Sequence, residues 1–394
     1  MAESFDTSAF PLSTFSANHR LEFSLSERAR HGLLRALKPE QYLIDFCSND
    51  YLGFANSVEL KQLVKDNFNR NDDAKMGSTG SRLLTGNSDY AEGLECEIAQ
   101  FHVAEAGLLF NSGYDANVGL FSCIAQRGDT IITDEFIHAS IIDGVRLSYA
   151  NRYTFKHNNL HSLEEKLRLS KGLVFVVVES VYSMDGDEAP LLEILNLTNR
   201  YGANLIVDEA HATGVFGLQG RGKVCLEKLE KDIFARIVTF GKALGCHGAI
   251  VLGSRTLRNY LINFSRSFIY TTASSFHNLV SVKCAYQLLA QTNSSQKLFH
   301  NISLFRSLCK NKFQRFLCVD SDSAIQCIIV SGNEATKKLS IYLQEQGFDV
   351  RPILSPTIPV GQERLRICLH SFNTDEEITS LIDQIKCYEL DNLK

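Results

Sequence analysis

The sequence predicts an α/β fold with a mostly parallel central sheet, covered by helices on both faces, and a smaller α+β domain after it. Between about residues 105 and 254, short β-rich runs alternate with longer helical or polar stretches, as in consecutive βαβ units. Residues 173–178 are apolar at consecutive positions, which is typical of a strand buried on both faces. After about Ser275, long helical stretches dominate the pattern.

The predicted elements divide the 394 residues into three parts. Six strands of the central sheet are expected at residues 107–110, 130–133, 173–179, 203–208, 237–240 and 248–252. Two later strands are expected at residues 324–330 and 364–369. A Pro-containing loop at residues 353–361 precedes the second of them, and a closing helix begins at Thr374. We therefore expect an N-terminal segment, a large α/β domain and a small α+β domain, at residues 1–50, 51–280 and 281–394.

The composition is that of a globular protein, and the N-terminus and the cysteines lead us to expect a cytoplasmic one. Hydrophobic residues make up 44% and charged residues 22%, which excludes disordered, collagenous and coiled-coil chains. The net charge of -5 is small, and no basic stripe is present, so nucleic acid is not an expected partner. The N-terminus lacks the features of a secretory signal, and no apolar run approaches the ~18 residues of a membrane span.

The cysteines favour reduced thiols over disulfides or a metal site. Their number, eleven, is odd, they are spread from Cys47 to Cys387, and no CxxC pair occurs among them. This usage fits a reducing compartment, and no metal ligand set is predicted.

Polar residues at the ends of the predicted strands mark the expected site. Glu179, Asp208, Thr239 and Lys242 each end or follow a β-rich run. Ligands of open α/β sheets bind beyond the carboxyl ends of the strands, so we expect the chemistry there.

The motif Asp208-Glu-Ala-His211 follows a buried strand and places a histidine three residues after a carboxylate. The carboxylate could keep a pyridine nitrogen protonated, and the imidazole could reach a neighbouring ring oxygen. A purely structural carboxylate is the alternative. The sequence Asp-Glu-Ala-His also names a helicase family, whose members need a phosphate loop of the form GxxxxGK[ST] before it, and none is present. The nearest string, residues 217–223, lies after the motif and is followed by Val224 where Ser or Thr is required.

Lys242 lies in a Gly-flanked turn about thirty residues later. Its amine could form an imine with an aldehyde cofactor, and the hydroxyl of Thr239 could bind a phosphate. The alternative is a solvated lysine in a loop, which the spacing from Asp208 disfavours.

A strand-to-helix turn at Asn111-Ser-Gly-Tyr114 could offer free amide groups to a phosphate, although an ordinary N-capped helix has the same pattern. His138 could stack on a flat cofactor, or it could be a structural histidine.

Seven motifs occur in the order found in the α-oxoamine synthases, a family of fold-type I pyridoxal-phosphate enzymes, and the chain resembles that family from about Arg35 to its carboxyl terminus. The motifs are Asn49-Asp-Tyr-Leu-Gly53, Gly77-Ser-Thr-Gly-Ser-Arg82, Ser112-Gly-Tyr114, His138-Ala-Ser140, Ser183-Met-Asp-Gly-Asp187, Asp208-Glu-Ala-His211 and Thr239-Phe-Gly-Lys242.

The resemblance implies pyridoxal 5'-phosphate as the cofactor and assigns roles around it. Lys242 is similar to the Schiff-base lysine, Asp208 to the partner of the pyridine nitrogen, and His138 to the residue stacked on the ring. The donors near the ring hydroxyl would be His211 and Ser183. The phosphate would be bound by Ser112, Gly113, Tyr114, Thr239 and, from the second subunit of a homodimer, Thr272.

The resemblance also implies the substrates, an amino acid and an acyl thioester on coenzyme A or acyl carrier protein. Arg366 matches the arginine that binds a carboxylate, and Arg35, Asn49 and Thr357 match other substrate-contacting positions. The nearest members of the family use L-alanine and a pimeloyl thioester in biotin synthesis. Sister enzymes that use glycine or serine, and aminotransferases or lyases of the same fold, remain alternatives.

Two departures from the family pattern concern the acyl substrate. A histidine that is common before a Leu-Glu pair is missing from residues 87–95, and Leu354 or Ser355 replaces a basic residue of the small-domain loop. A binding module that has lost activity is a further alternative, and intact Lys242, Asp208 and His211 argue against it.

Overall fold

The computed structural model describes residues 16–391 except residues 38, 40, 41, 72–74 and 311. The first fifteen residues of the predicted N-terminal segment therefore lie outside the described part. Two compact units are present, one up to Tyr42 and one from Leu43 onward. In the first unit, helix α1 spans Ala17–Arg30, and the Ser16 hydroxyl caps it by accepting the His19 amide.

The second unit contains thirteen strands in its described residues. They are β1 Ile44–Asp45, β2 Ala106–Phe110, β3 Thr130–Asp134, β4 Asn151–Phe155, β5 Val174–Glu179, β6 Asn204–Asp208, β7 Ala235–Thr239, β8 Ala249–Gly253, β9 Leu317–Cys318, β10 Ile325–Ile329, β11 Phe348–Asp349, β12 Arg351–Ile353 and β13 Arg364–Cys368.

Within the same described residues, thirteen α-helices accompany these strands. They are α2 Val58–Asn69, α3 Asp89–Phe101, α4 Gly113–Phe121, α5 Ala139–Leu147, α6 Leu160–Leu169, α7 Leu191–Arg200, α8 Lys223–Leu226, α9 Arg255–Phe264, α10 Arg266–Ile269, α11 Phe276–Leu289, α12 Ser294–Cys309, α13 Asn333–Glu345 and α14 Asp375–Asp391. Across the described ranges, none of the helices has the length and apolar character needed to cross a bilayer.

The large sheet has seven strands in the order β2-β8-β7-β6-β5-β3-β4. The neighbours from β7 through β4 run parallel, and β8 is antiparallel to both β7 and β2. The mostly parallel central sheet predicted from the alternating pattern is therefore confirmed.

Helices cover both faces of this sheet. Along β5, Phe175 and Val177 pack into one apolar cluster, whereas Val174, Val176 and Val178 pack into another. Because successive side chains of a strand point to opposite faces, the unbroken apolar run of β5 fills two cores at once.

A second, antiparallel sheet has the order β12-β13-β10-β9, and β1 and β11 form a short parallel pair. In this sheet Arg366 of β13 is paired with Cys327 of β10 on one side and with Arg351 of β12 on the other. The smaller sheet in the carboxyl-terminal part of the chain agrees with the predicted fold class.

The large sheet has one strand that the sequence did not indicate, β4. Three of its five residues, Asn151, Arg152 and Thr154, are exposed. As the last strand of the sheet it has only one neighbour, β3, so its backbone pairing needs no apolar pattern.

Candidate active site

The carboxyl ends of β5, β6 and β7 border a cavity of about 230 Å³. Glu179 and Asp208, the last residues of β5 and β6, are register partners and therefore lie side by side. The residues that line this cavity are Ser112, Gly113, Tyr114, Asn117, His138, Ser140, Glu179, Asp208, Ala210, Thr239, Gly241, Lys242, His247 and Gly248.

Lys242 enters the cavity from the turn between β7 and β8. The turn closes through a hydrogen bond from the Gly245 amide to the Lys242 carbonyl, at 2.8 Å. Gly245 has φ of 59°, and an added Cβ would lie 2.2 Å from the Ala55 nitrogen, so only glycine fits there. Burial lowers the pKa of Lys242 to about 8, although Asp208 and Glu179 oppose the shift. A substantial fraction of the amine is consequently neutral near physiological pH.

Asp208 is held by two donors. Its Oδ2 accepts a hydrogen bond from Asn117 Nδ2 at 3.0 Å, and its Oδ1 accepts the Ala210 amide at 2.9 Å. Asp208 is buried, with 3% of its surface exposed. The carboxylate is thus fixed in orientation, and a protonated ring nitrogen in the cavity would be a suitable partner for it.

Glu179 is a buried carboxyl group whose pKa is raised. Burial, reinforced by the neighbouring charge of Asp208, raises the pKa of Glu179 to about 8. In the described structure its Oε1 is buried and has no hydrogen-bond partner. Glu179 therefore favours its neutral, protonated form near neutral pH.

His211 lies between Lys242 and a buried tyrosine. Its Nε2 is 2.7 Å from Lys242 Nζ, and its Nδ1 is 2.7 Å from the Tyr51 hydroxyl. Burial lowers the pKa of His211 well below its usual value, and the charge of Lys242 adds to the shift. The imidazole is therefore neutral, with one ring nitrogen protonated.

His138 forms another wall of the cavity at the start of α5. Its Nδ1 accepts the Ser140 amide at 3.2 Å and lies 2.7 Å from the Ser140 hydroxyl. The hydroxyl of Ser140 in turn accepts a hydrogen bond from Asn117 Nδ2 at 3.0 Å. These contacts fix the ring of His138 beside the same amide that holds Asp208.

The start of α4 and the end of β7 form a polar recess. The Ser112 hydroxyl caps α4 by accepting the Asp115 amide at 3.0 Å. An added Cβ on Gly113 would lie 2.6 Å from Thr239 Cγ2, so glycine permits the close approach of helix and strand. Thr239 Oγ1 is buried and, within the described ranges, unpartnered. A helix N-terminus beside an unused hydroxyl is suited to a phosphate group.

Two predicted substrate residues meet outside the cavity lining. Arg366 Nη2 donates to Asn49 Oδ1 at 3.1 Å, and its Nε donates to the Ser183 carbonyl at 2.8 Å. These contacts connect the small sheet to the loop after β5 and to the segment before α2. Asn49 Oδ1 also accepts a hydrogen bond from the Tyr51 hydroxyl at 3.1 Å, so Asn49 joins Arg366 to the tyrosine that contacts His211.

Four other predicted residues lie elsewhere. Within the described chain the cavity lining includes neither Ser183 nor Thr272. Thr272 is exposed, and its carbonyl accepts a hydrogen bond from Asn111 Nδ2 at 2.8 Å. Thr357 lies in an exposed turn after β12, and Arg35 lies in the first unit, after α1. Their roles remain predictions.

The sequence prediction did not include several residues that form the site. Asn117 lies four residues after Gly113 on α4, so the helical period could have placed it on the same face. Tyr51 was inside a recognised motif but had no assigned role. Ser140 was likewise inside a recognised motif without a role, and His247 gave no comparable signal.

Known proteins resemble this chain over most of its length. The family model described as aminotransferase class I and II matches residues 41–385. An 8-amino-7-oxononanoate synthase of Emericella nidulans is 45% identical over 367 residues, which cover 87% of this chain and 88% of the relative. The solved 8-amino-7-oxononanoate synthase of Francisella tularensis is 30% identical, with a TM-score of 0.75 over 89% of this chain and 98% of that one.

A structure of serine palmitoyltransferase from S. paucimobilis, with a bound PLP–myriocin aldimine, has a TM-score of 0.84. The match covers 93% of this chain and 96% of the palmitoyltransferase chain. At 24% identity, the likeness shows the fold alone. The chain belongs to the aminotransferase class I and II family and, within it, to the α-oxoamine synthases. It is an enzyme of that type, with the fold-type I architecture.

Proposed function

We propose that this enzyme condenses L-alanine with a pimeloyl thioester, releasing carbon dioxide and thiol and forming 8-amino-7-oxononanoate for biotin synthesis. The observation that carries this proposal is the convergence of Lys242, Asp208 and His138 on one cavity. The names of the relatives at 45% and 38% identity support the choice of product.

The cavity fits pyridoxal 5'-phosphate, the cofactor of this family. The unpartnered Thr239 hydroxyl and the start of α4 at Gly113 suit its phosphate. Asp208 suits the protonated ring nitrogen, His138 suits the face of the ring, and Lys242 suits the aldehyde. When bound, the cofactor supplies an electron sink for the substrate α-carbon.

The chain's own groups then supply proton transfer and orientation. The neutral amine of Lys242 removes the substrate α-proton, and its pKa of about 8 makes that state accessible near neutral pH. Asp208, fixed by Asn117, stabilises positive charge on the ring nitrogen. His211 and, from its loop, Ser183 are the proposed donors to the ring hydroxyl.

Arg366 is the proposed ligand of the amino-acid carboxylate. Its guanidinium donates to the Ser183 carbonyl, to Asn49 Oδ1 and to Cys368 Sγ, and none of these acceptors is a carboxylate. A carboxylate would therefore be its first anionic partner among these contacts, and two parallel hydrogen bonds could form. We place Asn49, Thr357 and Arg35 at the substrate as well.

We expect Arg366→Lys to weaken use of the amino acid more than use of the thioester. Lysine offers a point charge in place of a planar fork, so a charge-assisted contact is lost. The expected penalty is about 1.5–3 kcal/mol, or roughly tenfold to a hundredfold in kcat/KM for the amino acid. Saturation curves for both substrates measure it.

Arg351→Lys is the matched control, because Arg351 is the β-sheet partner of Arg366 but pairs with Asp349. Its amino-acid curve should match that of the parent enzyme. An unchanged curve for Arg366→Lys would remove Arg366 from the substrate site.

The assembly and domain division belong to the same proposal. We place the large domain at residues 51–280 and the small domain at 281–394. Thr272 is exposed in the single chain, which suits the proposed homodimer in which it reaches the phosphate of the partner's site. The acyl carrier is coenzyme A or acyl carrier protein, and the proposed location is the cytoplasm.

A substrate panel tests the function. Purified enzyme with pyridoxal phosphate is incubated with alanine, glycine or serine and with acetyl, succinyl, pimeloyl or palmitoyl thioesters, and mass spectrometry detects amino ketones. We expect 8-amino-7-oxononanoate from alanine and the pimeloyl thioester in largest yield. Preference for another pair would reassign the enzyme within the family, and a product without acyl transfer would contradict the proposal.

A further inference from the structure

Tyr51 connects the catalytic lysine to the proposed carboxylate ligand through buried hydrogen bonds. From Lys242 Nζ, a 2.7 Å contact reaches His211 Nε2, and another of 2.7 Å joins His211 Nδ1 to the Tyr51 hydroxyl. The hydroxyl donates to Asn49 Oδ1 at 3.1 Å, and Arg366 Nη2 donates to the same oxygen at 3.1 Å. Tyr51 and His211 are 1% and 5% exposed, so water does not compete freely for these bonds.

The donors and acceptors in this series of hydrogen bonds depend on one another. Arg366 can only donate, so Asn49 must turn its oxygen toward the guanidinium. That oxygen also faces Tyr51, whose single proton can be given either to Asn49 or to His211 Nδ1. Burial raises the pKa of Tyr51, which keeps its hydroxyl protonated.

Each position of the Tyr51 proton selects one tautomer of His211. When Tyr51 donates to Asn49, His211 must donate from Nδ1 to the tyrosine oxygen, and its Nε2 lone pair can accept from charged Lys242. When Tyr51 donates to His211, the imidazole proton lies on Nε2, which suits a neutral lysine amine. Rotation of one hydroxyl therefore lets every group keep a partner in both charge states of Lys242.

We infer that Tyr51 is a positioning residue that sets the tautomer of His211 and couples it to Arg366. This inference rests on the proposed function, which gives Lys242 and Arg366 their roles. A carboxylate that engages Arg366 would change the competition for the Asn49 oxygen, and Tyr51 would pass this change to His211.

Other charged or titratable groups also face the residues of this hydrogen-bond series. Lys242 faces Asp208, Glu179, Arg366 and Cys368, and His211 also faces His138. All of these groups are still present when only the Tyr51 hydroxyl is removed, and among them Arg366 loses a side-chain hydrogen bond to that hydroxyl. A difference between the parent protein and Tyr51→Phe therefore reports the hydroxyl itself.

The first test is the pH profile of cofactor capture by cofactor-free protein, because only the neutral Lys242 amine reacts with the aldehyde. In Tyr51→Phe, an Nδ1 proton on His211 would be buried without an acceptor, so the Nε2 tautomer is favoured. Charged Lys242 then loses the Nε2 lone pair of His211 as its acceptor. The midpoint pH of cofactor capture should therefore fall by roughly one pH unit below that of the parent. Stopped-flow absorbance with pyridoxal phosphate measures the midpoint.

Tyr286→Phe is the matched control. Its hydroxyl also bonds a buried histidine, His102 Nε2 at 2.9 Å, but neither residue lines the cavity. Its midpoint should equal that of the parent. A Tyr51→Phe midpoint indistinguishable from the control would overturn the inference.

The second test needs no cofactor. ¹⁵N NMR of histidine-labelled, cofactor-free protein at pH 7 should show Nδ1-protonated His211 in the parent and Nε2-protonated His211 in Tyr51→Phe. Asn49→Ala should give the same change, because it removes the competing acceptor, and it replaces Tyr51→Phe if that variant does not fold. The same tautomer in all proteins would contradict the role of Tyr51. Absence of cofactor capture by the parent would instead contradict the proposed function.

Discussion

Replacement of Lys242 by alanine should lower turnover by orders of magnitude and leave only weak cofactor binding. Lys242 is the lysine that lines the cavity, and it is expected both to hold the cofactor aldehyde and to move the substrate α-proton. Borohydride reduction of the parent enzyme, followed by peptide mapping, should find the cofactor on Lys242. The variant should carry no reduced label.

Lys231→Ala controls for the loss of a lysine, because Lys231 is exposed and does not line the cavity. It should retain both turnover and the label at Lys242. A label on another lysine, or turnover in Lys242→Ala near that of the control, would show that the catalytic assignment is wrong.

Asp208→Asn should slow exchange of the substrate α-proton on the order of 10²–10³-fold, with a much smaller effect on cofactor retention. An amide cannot stabilise a protonated ring nitrogen as a carboxylate does, whereas the phosphate contacts are unaffected. Deuterium exchange at Cα of alanine, followed by NMR without acyl thioester, isolates this step.

Asp134→Asn is matched to this change. Asp134 is also a buried carboxylate at the end of a strand, but it pairs with His157 and does not line the cavity. Its exchange rate should stay near that of the parent. Exchange at the parental rate in Asp208→Asn would reduce Asp208 to a structural role.

The central sheet could be predicted because its strands have a local signal. Consecutive apolar residues, as in β5, indicate burial on both faces without knowledge of the partners. The exposed strand β4 lacked that signal, and the two-residue strands β1, β9 and β11 are too short to show a period. Their pairing depends on distant segments of the chain.

The residues proposed to bind the cofactor could be predicted for a related reason. Asp208, Thr239 and Lys242 follow strands that the sequence shows, and the ends of parallel strands meet at one edge of a sheet. The residue types suggested what these positions could do, and the resemblance to the family assigned each of them a definite role. The structure adds that Glu179 lies next to Asp208, a contact that follows from the strand register.

The contacts of Tyr51 could not be predicted from the sequence. Its histidine partner is 160 residues away, and Asn49 meets Arg366 across 317 residues. No periodicity encodes such pairs, because the first depends on how the segment before α2 packs against the turn after β6, and the second on how that segment packs against the small sheet. The proposed coupling of Arg366 to Lys242 is therefore visible only in three dimensions.

The central claim, a condensation that releases the amino-acid carboxyl group, is tested most directly by carbon balance. L-Alanine labelled with ¹³C at C1 is incubated with the enzyme, pyridoxal phosphate and pimeloyl-CoA, and labelled carbon dioxide, free thiol and amino ketone are measured together. We expect the three products in equal amounts, with no label in the amino ketone. Label retained in pyruvate, or thiol released without labelled carbon dioxide, would contradict the account.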